Sequence, residues 1–112
     1  MGSSVYAVDN NKINDEEFLS YNNSNFFLSD ICDYNNMNNI IKKIFKKVIN
    51  IDVLINSAGI IDFKSIEDSS YEFWKKIIDV NLTGSFITCK LIVPTMKINK
   101  KGSVINVSSR AA

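Results

Sequence analysis

The sequence predicts an α/β fold with a parallel sheet, and three observations carry that prediction. Short β-branched or aromatic runs alternate with stretches of helical periodicity, in the order strand, strand, helix, strand, helix, strand. The run Val53-Leu54-Ile55 lacks polar alternation, the pattern of a strand covered by helices on both faces. Three of the four strands end in Asp or Ser, with small residues after the last two, so polar groups collect along one edge of the sheet. In open parallel sheets that edge is where ligands bind.

The first strand is expected near 4–8, where Val5-Tyr6-Ala7-Val8 stops at Asp9-Asn10-Asn11. An acid at such a tip can accept hydrogen bonds from a ribose diol, and it would repel a phosphate on the same sugar. The plainer reading is a turn aspartate. Residues 12–25 are polar and asparagine-rich, and Asn14 ahead of Asp15-Glu16-Glu17 resembles the cap and acidic first turn of one short helix. The second strand is expected near 26–29 and runs into Ser29-Asp30-Ile31-Cys32-Asp33. Two carboxylates without a third ligand make a poor metal site. Asp33 or Asn35 is read as the next helix cap, and Asp30 as facing the strand-end crevice.

That helix, near 36–49, carries Met37, Ile40, Ile41, Ile44, Phe45 and Val48 on one apolar stripe. Lys42, Lys43, Lys46 and Lys47 occupy its other faces. They read as a solvated surface, because no Arg or aromatic residue interleaves on the polar side. The third strand, near 52–58, ends in Asn56-Ser57-Ala58-Gly59, which removes side-chain bulk where a ligand would approach. The second long helix is expected near 70–98, with Ser69 and Glu72 at capping-box spacing. Trp74, Ile77, Ile78, Leu82, Phe86 and Leu91 form its broad apolar face. Val80-Asn81-Leu82-Thr83-Gly84 interrupts it with poor helix formers, a pattern that marks a bulge or kink at a functional place. Pro94 is a second local break. Lys100-Lys101-Gly102 ends the helix, and a fourth strand is expected near 103–108.

The totals restrict the function. At 112 residues, positions 1–112 form one domain. A net charge of +1 supplies no global field, so neither nucleic acid nor a membrane is an expected partner. Histidine is absent, which removes the commonest general base and metal ligand, and no metal is expected. Cys32 and Cys89 lie far apart and read as reduced thiols of a cytoplasmic protein. No apolar run approaches ~20 residues, so no membrane span is expected. Residues 1–4 lack the basic start and apolar middle of a signal peptide.

Together these motifs resemble those of the short-chain dehydrogenase/reductase family. Asn56-Ser57-Ala58-Gly59 is similar to the family's Asn-Asn-Ala-Gly motif, with Ser in the second place. Asp79-Val80-Asn81-Leu82-Thr83-Gly84 resembles the helix motif whose Asn belongs to the catalytic tetrad. Gly102-Ser103-Val104-Ile105-Asn106-Val107-Ser108-Ser109 resembles the strand that delivers the catalytic serine, by position Ser109. Asp30-Ile31 resembles the acid-plus-aliphatic pair that holds adenine, and Asp9 the acid that selects NAD.

The resemblance implies a partial Rossmann-type three-layer fold and hydride transfer between nicotinamide and an alcohol or carbonyl substrate. It gives Ser109 the task of hydrogen-bonding the substrate oxygen, and Asn81 that of holding, through its kinked helix, a water in the proton relay. Asn56, Ala58 and Gly59 would contact the adenosine half and brace the sheet. Asp9 implies NAD in preference to NADP, and Asn10 agrees, since NADP users of the family often carry a basic residue there. The intact parent would be a homo-oligomer, dimer or tetramer. No Gly-rich turn precedes Asp9, and no Tyr-x-x-x-Lys follows Ser109; Met1-Gly2-Ser3 resembles the end of the helix after that turn. The chain therefore reads as a fragment, expected to be inactive alone. The strand that normally lies between those ending at Asp9 and Asn56 is missing, so the sheet is expected to have a gap at its centre. The alternative is a short non-catalytic binding or assembly module that uses the helix near 70–98.

Overall fold

In the computed structural model, which describes residues 2–21 and 24–109, the order is β1 (Val5–Asp9), α1 (Glu16–Ser20), β2 (Ser24–Leu28), α2 (Tyr34–Phe45), β3 (Val53–Asn56), α3 (Tyr71–Ile78), α4 (Gly84–Asn99) and β4 (Ser103–Asn106). A π-helical turn, Asp79–Thr83, joins α3 to α4, so the chain is helical from Tyr71 to Asn99. Met1, Asn22, Asn23 and 110–112 lie outside the described residues, among them part of the expected helix end at Met1-Gly2-Ser3. Gly2 to Ser4 are not helical, which removes the rest of that expectation.

The strands pair in parallel, but in two separate pairs. β1 lies beside β2 with Val5 opposite Ser24 and Asp9 opposite Leu28. β3 lies beside β4 with Val53 opposite Ser103 and Asn56 opposite Asn106. Among the described residues no ladder joins the two pairs, the gap expected from the sequence. The helices start where the side chains dictate. Asp15 caps α1 by accepting from the Phe18 amide, Asp33 caps α2 through the Asn36 amide, and Ser70 caps α3 through the Phe73 amide. The α1 and α3 caps fall one residue beyond the expected ones. α4 ends at Lys100, whose φ of 52° is left-handed. Gly102 follows because a Cβ there would collide with Met96.

The core lies between α2, α4 and β3. Met37, Ile40, Ile41 and Ile44 of α2 meet Leu54 of β3 and Ile87, Ile92 and Met96 of α4. The α2 stripe is the expected one, with Phe45 and Val48 half-buried at its margin. Two expectations need correction. β3 is covered on one face only: Leu54 and Asn56 are buried, while Val53 and Ile55 are exposed. No described helix packs on the second face. The apolar face read onto the long helix is likewise not the core face. Of its expected members Trp74, Leu82 and Phe86 are exposed, Ile77 and Ile78 are half-buried, and only Leu91 packs against the core; the buried positions are Gly84, Ile87, Thr88, Ile92 and Met96. Gly84 and Thr88 register weakly as hydrophobic, so a scan of hydrophobicity selects the other side of a helix that is apolar on two. That helix of 29 residues is also long and apolar enough to cross a membrane by length and composition alone, although no unbroken apolar run approaches that length. Only 22 % of that apolar window is buried, and the Lys75–Asp79 ion pair at 2.6 Å lies within the helix.

Candidate functional site at the strand ends

Apart from Asn81, the candidate residues stand at or just past the carboxyl ends of their strands. Gly59 and Ser109 each stand three residues beyond the paired Asn56 and Asn106, and the Val107 amide continues the ladder to the Asn56 carbonyl at 2.9 Å. At the other pair the Ser29 amide donates to the Asp9 carbonyl at 2.9 Å, which brings Asp30 beside the tip of β1. One contact crosses between the strand pairs and a second fixes the loop after β3. Ile31 packs under Gly84, and Asn81, three residues earlier, reaches Ile60 just past Gly59.

Asn81 sits in the π-turn, where the sequence interruption had placed a distortion. Asp79 to Gly84 open the helix by one residue per turn, which turns Asn81 toward the loop after β3. Its carboxamide clasps the Ile60 backbone: Oδ1 accepts from the Ile60 amide and Nδ2 donates to the Ile60 carbonyl, both at 2.8 Å. Both ends of the side chain are therefore committed to loop backbone. The side chain holds the loop after β3 in place.

Asn56 is buried, 5 % exposed, and its carboxamide faces inward. Its Oδ1 accepts from Thr88 Oγ1 at 2.6 Å, and its Nδ2 donates to Asn106 Oδ1 at 2.9 Å and to Cys89 Sγ at 3.6 Å. One residue thus ties β3 to β4 and to α4. Ser57, Ala58 and Gly59 follow it at the surface. A Cβ on Gly59 would meet Asn81 Oδ1 at 3.4 Å, an ordinary contact, so the protein itself does not require glycine there.

Asp9 is exposed, and its Oδ1 accepts from the Asn11 amide at 2.8 Å, an Asx turn that fixes the carboxylate at the strand tip. Asp30 Oδ1 accepts from the Cys32 amide at 2.8 Å in the same way. Burial and then the Asp30 charge push the Cys32 thiol up from 9.0 to about 11. A folded-state value above the unfolded one means the neutral thiol's contribution to stability is complete below pH 9 and is lost as pH rises toward 11. Cys32 is accordingly expected to alkylate with iodoacetamide more slowly than a free thiol at pH 8–9, a difference that mass spectrometry reads directly. Alkylation at the rate of an unperturbed thiol would contradict it.

Thr88, Asn106, Ile60 and Gly84 belong to this arrangement and escaped the sequence reading as site residues. Only Gly84 carried a signal, through the helix interruption. Ser109 is exposed. The Tyr-x-x-x-Lys spacing that the sequence does contain, Tyr71 to Lys75, stands ahead of Ser109 and away from the family order. There Tyr71 stacks on Trp74 at 6.1 Å and Lys75 pairs with Asp79. Among the described residues no three of His, Cys, Asp and Glu gather as metal ligands.

Comparison with known proteins follows the same residues. The trans-4-hydroxycyclohexanecarboxylate dehydrogenase of Sinomonas cyclohexanicum is 38 % identical over 82 residues, 73 % of this chain and 31 % of that protein. Aldohexose dehydrogenase of Thermoplasma acidophilum superposes with a TM-score of 0.82 at 30 % identity, covering 96 % of this chain and 40 % of that one. ElxO, solved with NADP bound, gives a TM-score of 0.83 at 29 % identity over 95 % of this chain and 45 % of its own. The chain thus spans less than half the length of each of these three proteins. The short chain dehydrogenase family matches residues 1–112, the Rossmann-type neighbours share the strand and helix order, and the chain belongs to that family of oxidoreductases.

Proposed function

We propose that this chain takes part in an NAD-dependent oxidoreductase that moves hydride between nicotinamide and the carbinol or carbonyl carbon of a small-molecule substrate. The observation that carries the reading is the Asn81 clasp on Ile60, which locks the π-turn to the exposed small-residue tip Ser57-Ala58-Gly59. The residues fit a dinucleotide: acids stand at the ends of β1 and β2, and side-chain bulk is absent after β3.

In this reading Asp9 holds the ribose diol of the adenosine, and Asp30 with Ile31 holds the adenine. Ala58 and Gly59 lie along the adenosine half with their backbones exposed, while Asn56 keeps that backbone in register from inside. Ser109 donates to the substrate oxygen and orients it. Asn81 positions the loop, and the main chain of its π-turn holds the water of the proton relay. The bound nicotinamide supplies or accepts the hydride. The Asp9 carboxylate disfavours a 2′-phosphate, which supports NAD over the NADP seen in ElxO. The hydroxyacid and sugar named for the two dehydrogenases above support a secondary alcohol as substrate. The free thiols Cys32 and Cys89 agree with a cytoplasmic setting. The exposed Trp74, Leu82 and Phe86 supply a face on which a second copy would dock in a homo-oligomer, and the same face favours an assembly module as the alternative.

The 112-residue chain is expected to turn over no NAD with any alcohol, because its Tyr71-to-Lys75 spacing is taken up by the Trp74 stack and the Asp79 ion pair and supplies no acid/base. Calorimetry tests the cofactor reading without turnover. NAD is expected to bind weakly and NADP more weakly, and Asp9→Arg is expected to reverse that order. Tighter NADP binding to the unaltered chain, or an unchanged order in Asp9→Arg, would sink the NAD assignment.

A further inference from the structure

The net charge of +1 conceals a separation of charge along the molecule. Asp9, Asp30, Asp33 and Asp79 lie on the strand-end side. The opposite end is built by the last turns of α2 and α4, which hydrogen bonds bring together. Asn99 Nδ2 donates to the Ile49 carbonyl at 3.4 Å and to Asn50 Oδ1 at 3.3 Å, and Asn50 Nδ2 donates to the Lys101 carbonyl at 3.0 Å. This end collects Lys42, Lys43, Lys46, Lys47, Lys97, Lys100 and Lys101, all exposed, seven of the chain's twelve lysines. The sequence explains the excess: from Tyr34 to Ile51 and from Gly84 to Ala112 there is no Asp or Glu. Asp52 stands between those stretches and pairs with Lys101 at 2.9 Å.

Two further features separate this pole from a merely soluble face. Ile49 is 87 % exposed and Ile98 80 % exposed, both among the lysines. An open cleft of about 330 Å³ at the end of α4 is lined by Val93, Met96 and Val104 together with Lys97, Lys100 and Lys101. Cations surrounding protruding aliphatic side chains match a layer of phosphates over hydrocarbon. Nucleic acid would call for arginine or exposed aromatic rings to stack on bases, whereas the exposed side chains at this pole, 42, 43, 46, 47, 49 and 97–101, are lysine, isoleucine and asparagine. Helix dipoles account for lysines in a last turn, but not for the exposed isoleucines.

We propose that this lysine pole docks on an anionic phospholipid surface, with Ile49 and Ile98 entering the headgroup layer and the strand-end edge facing away from the membrane. The contact is peripheral and salt-dependent, since lysines near an anionic surface act through a screened field. It does not depend on the oxidoreductase reading, because none of these residues lies at the strand ends.

The test is sedimentation of the 112-residue chain with vesicles. It is expected to pellet with vesicles of equal parts phosphatidylcholine and phosphatidylserine at low salt, to release at high salt, and to ignore pure phosphatidylcholine. Each of Lys43→Gln, Lys47→Gln and Lys100→Gln should weaken partitioning roughly fivefold. Ile49→Gln with Ile98→Gln should weaken it without a change in salt dependence. Circular dichroism of these surface variants should match the parent, which separates docking from folding. Equal binding to neutral vesicles, no binding by the folded chain, or lysine variants that bind like the parent would overturn the proposal. So would stronger retention on a single-stranded oligonucleotide, which would assign the pole to nucleic acid instead.

Discussion

Replacing Asn56 with alanine is expected to lower the stability of the chain by about 2–4 kcal/mol in urea unfolding. The buried carboxamide joins three elements at once, through Thr88 of α4, Asn106 of β4 and Cys89 of α4. Alanine leaves a small cavity beside Leu54 and removes the acceptor for the Thr88 hydroxyl, which is itself 5 % exposed. Thr88 retains one partner, the Ser85 carbonyl at 3.0 Å, so the loss falls short of a fully orphaned group. Thr88→Val should cost about 1–2 kcal/mol, because it leaves Asn56 Oδ1 buried without its donor. The double variant should cost less than the two single losses added, since both remove the same hydrogen bond. Simple additivity would show that the bond does not tie α4 to β3.

The second large effect is expected at Gly84. A Cβ there would stand 2.7 Å from Ile31 Cγ2, closer than packed carbons come. Gly84→Val is therefore expected to cost about 1–3 kcal/mol through overpacking. It should also displace the Asp30–Ile31 loop from the strand ends, so the variant should lose dinucleotide binding even where it stays folded. Gly59→Ala is the control. Its added methyl finds ordinary contact distance, and the expected loss is about 0.5 kcal/mol or less. A Gly84→Val chain as stable as the parent would mean that α4 and the loop after β2 slide apart freely.

The two glycines show what could be read from the sequence and what could not. Helix α2 was legible because its stripe is continuously apolar. The π-turn was legible because Asn81, Thr83 and Gly84 interrupt a strong helix. The parallel pairing and the central gap followed from the strand order and from which strand was missing. The core face of α4 was hidden because Gly84 and Thr88 fill it: one makes room for Ile31, and the other serves a buried hydrogen bond. Hydropathy sees neither task. The inward aim of Asn56 was only half legible, since an Asn at a strand end fits a ligand and a brace equally well. Its partners, Thr88 and Asn106, lie 32 and 50 residues away. The clustering of the lysines at one end was not legible for a related reason. Net charge adds over the chain, whereas the Asn99 and Asn50 hydrogen bonds that gather the lysines are tertiary.

The central claim is that the carboxyl ends of the strands form one dinucleotide-binding edge. The most direct measurement is an amide NMR titration of the chain with NAD at millimolar concentration. The expected shifts are confined to Asp9 to Asn11, Asp30 to Cys32 and Ser57 to Ile60, and they should be smaller with NADP. Shifts that avoid all three segments, or that centre on the lysine pole at Lys46 and Lys100, would contradict the account.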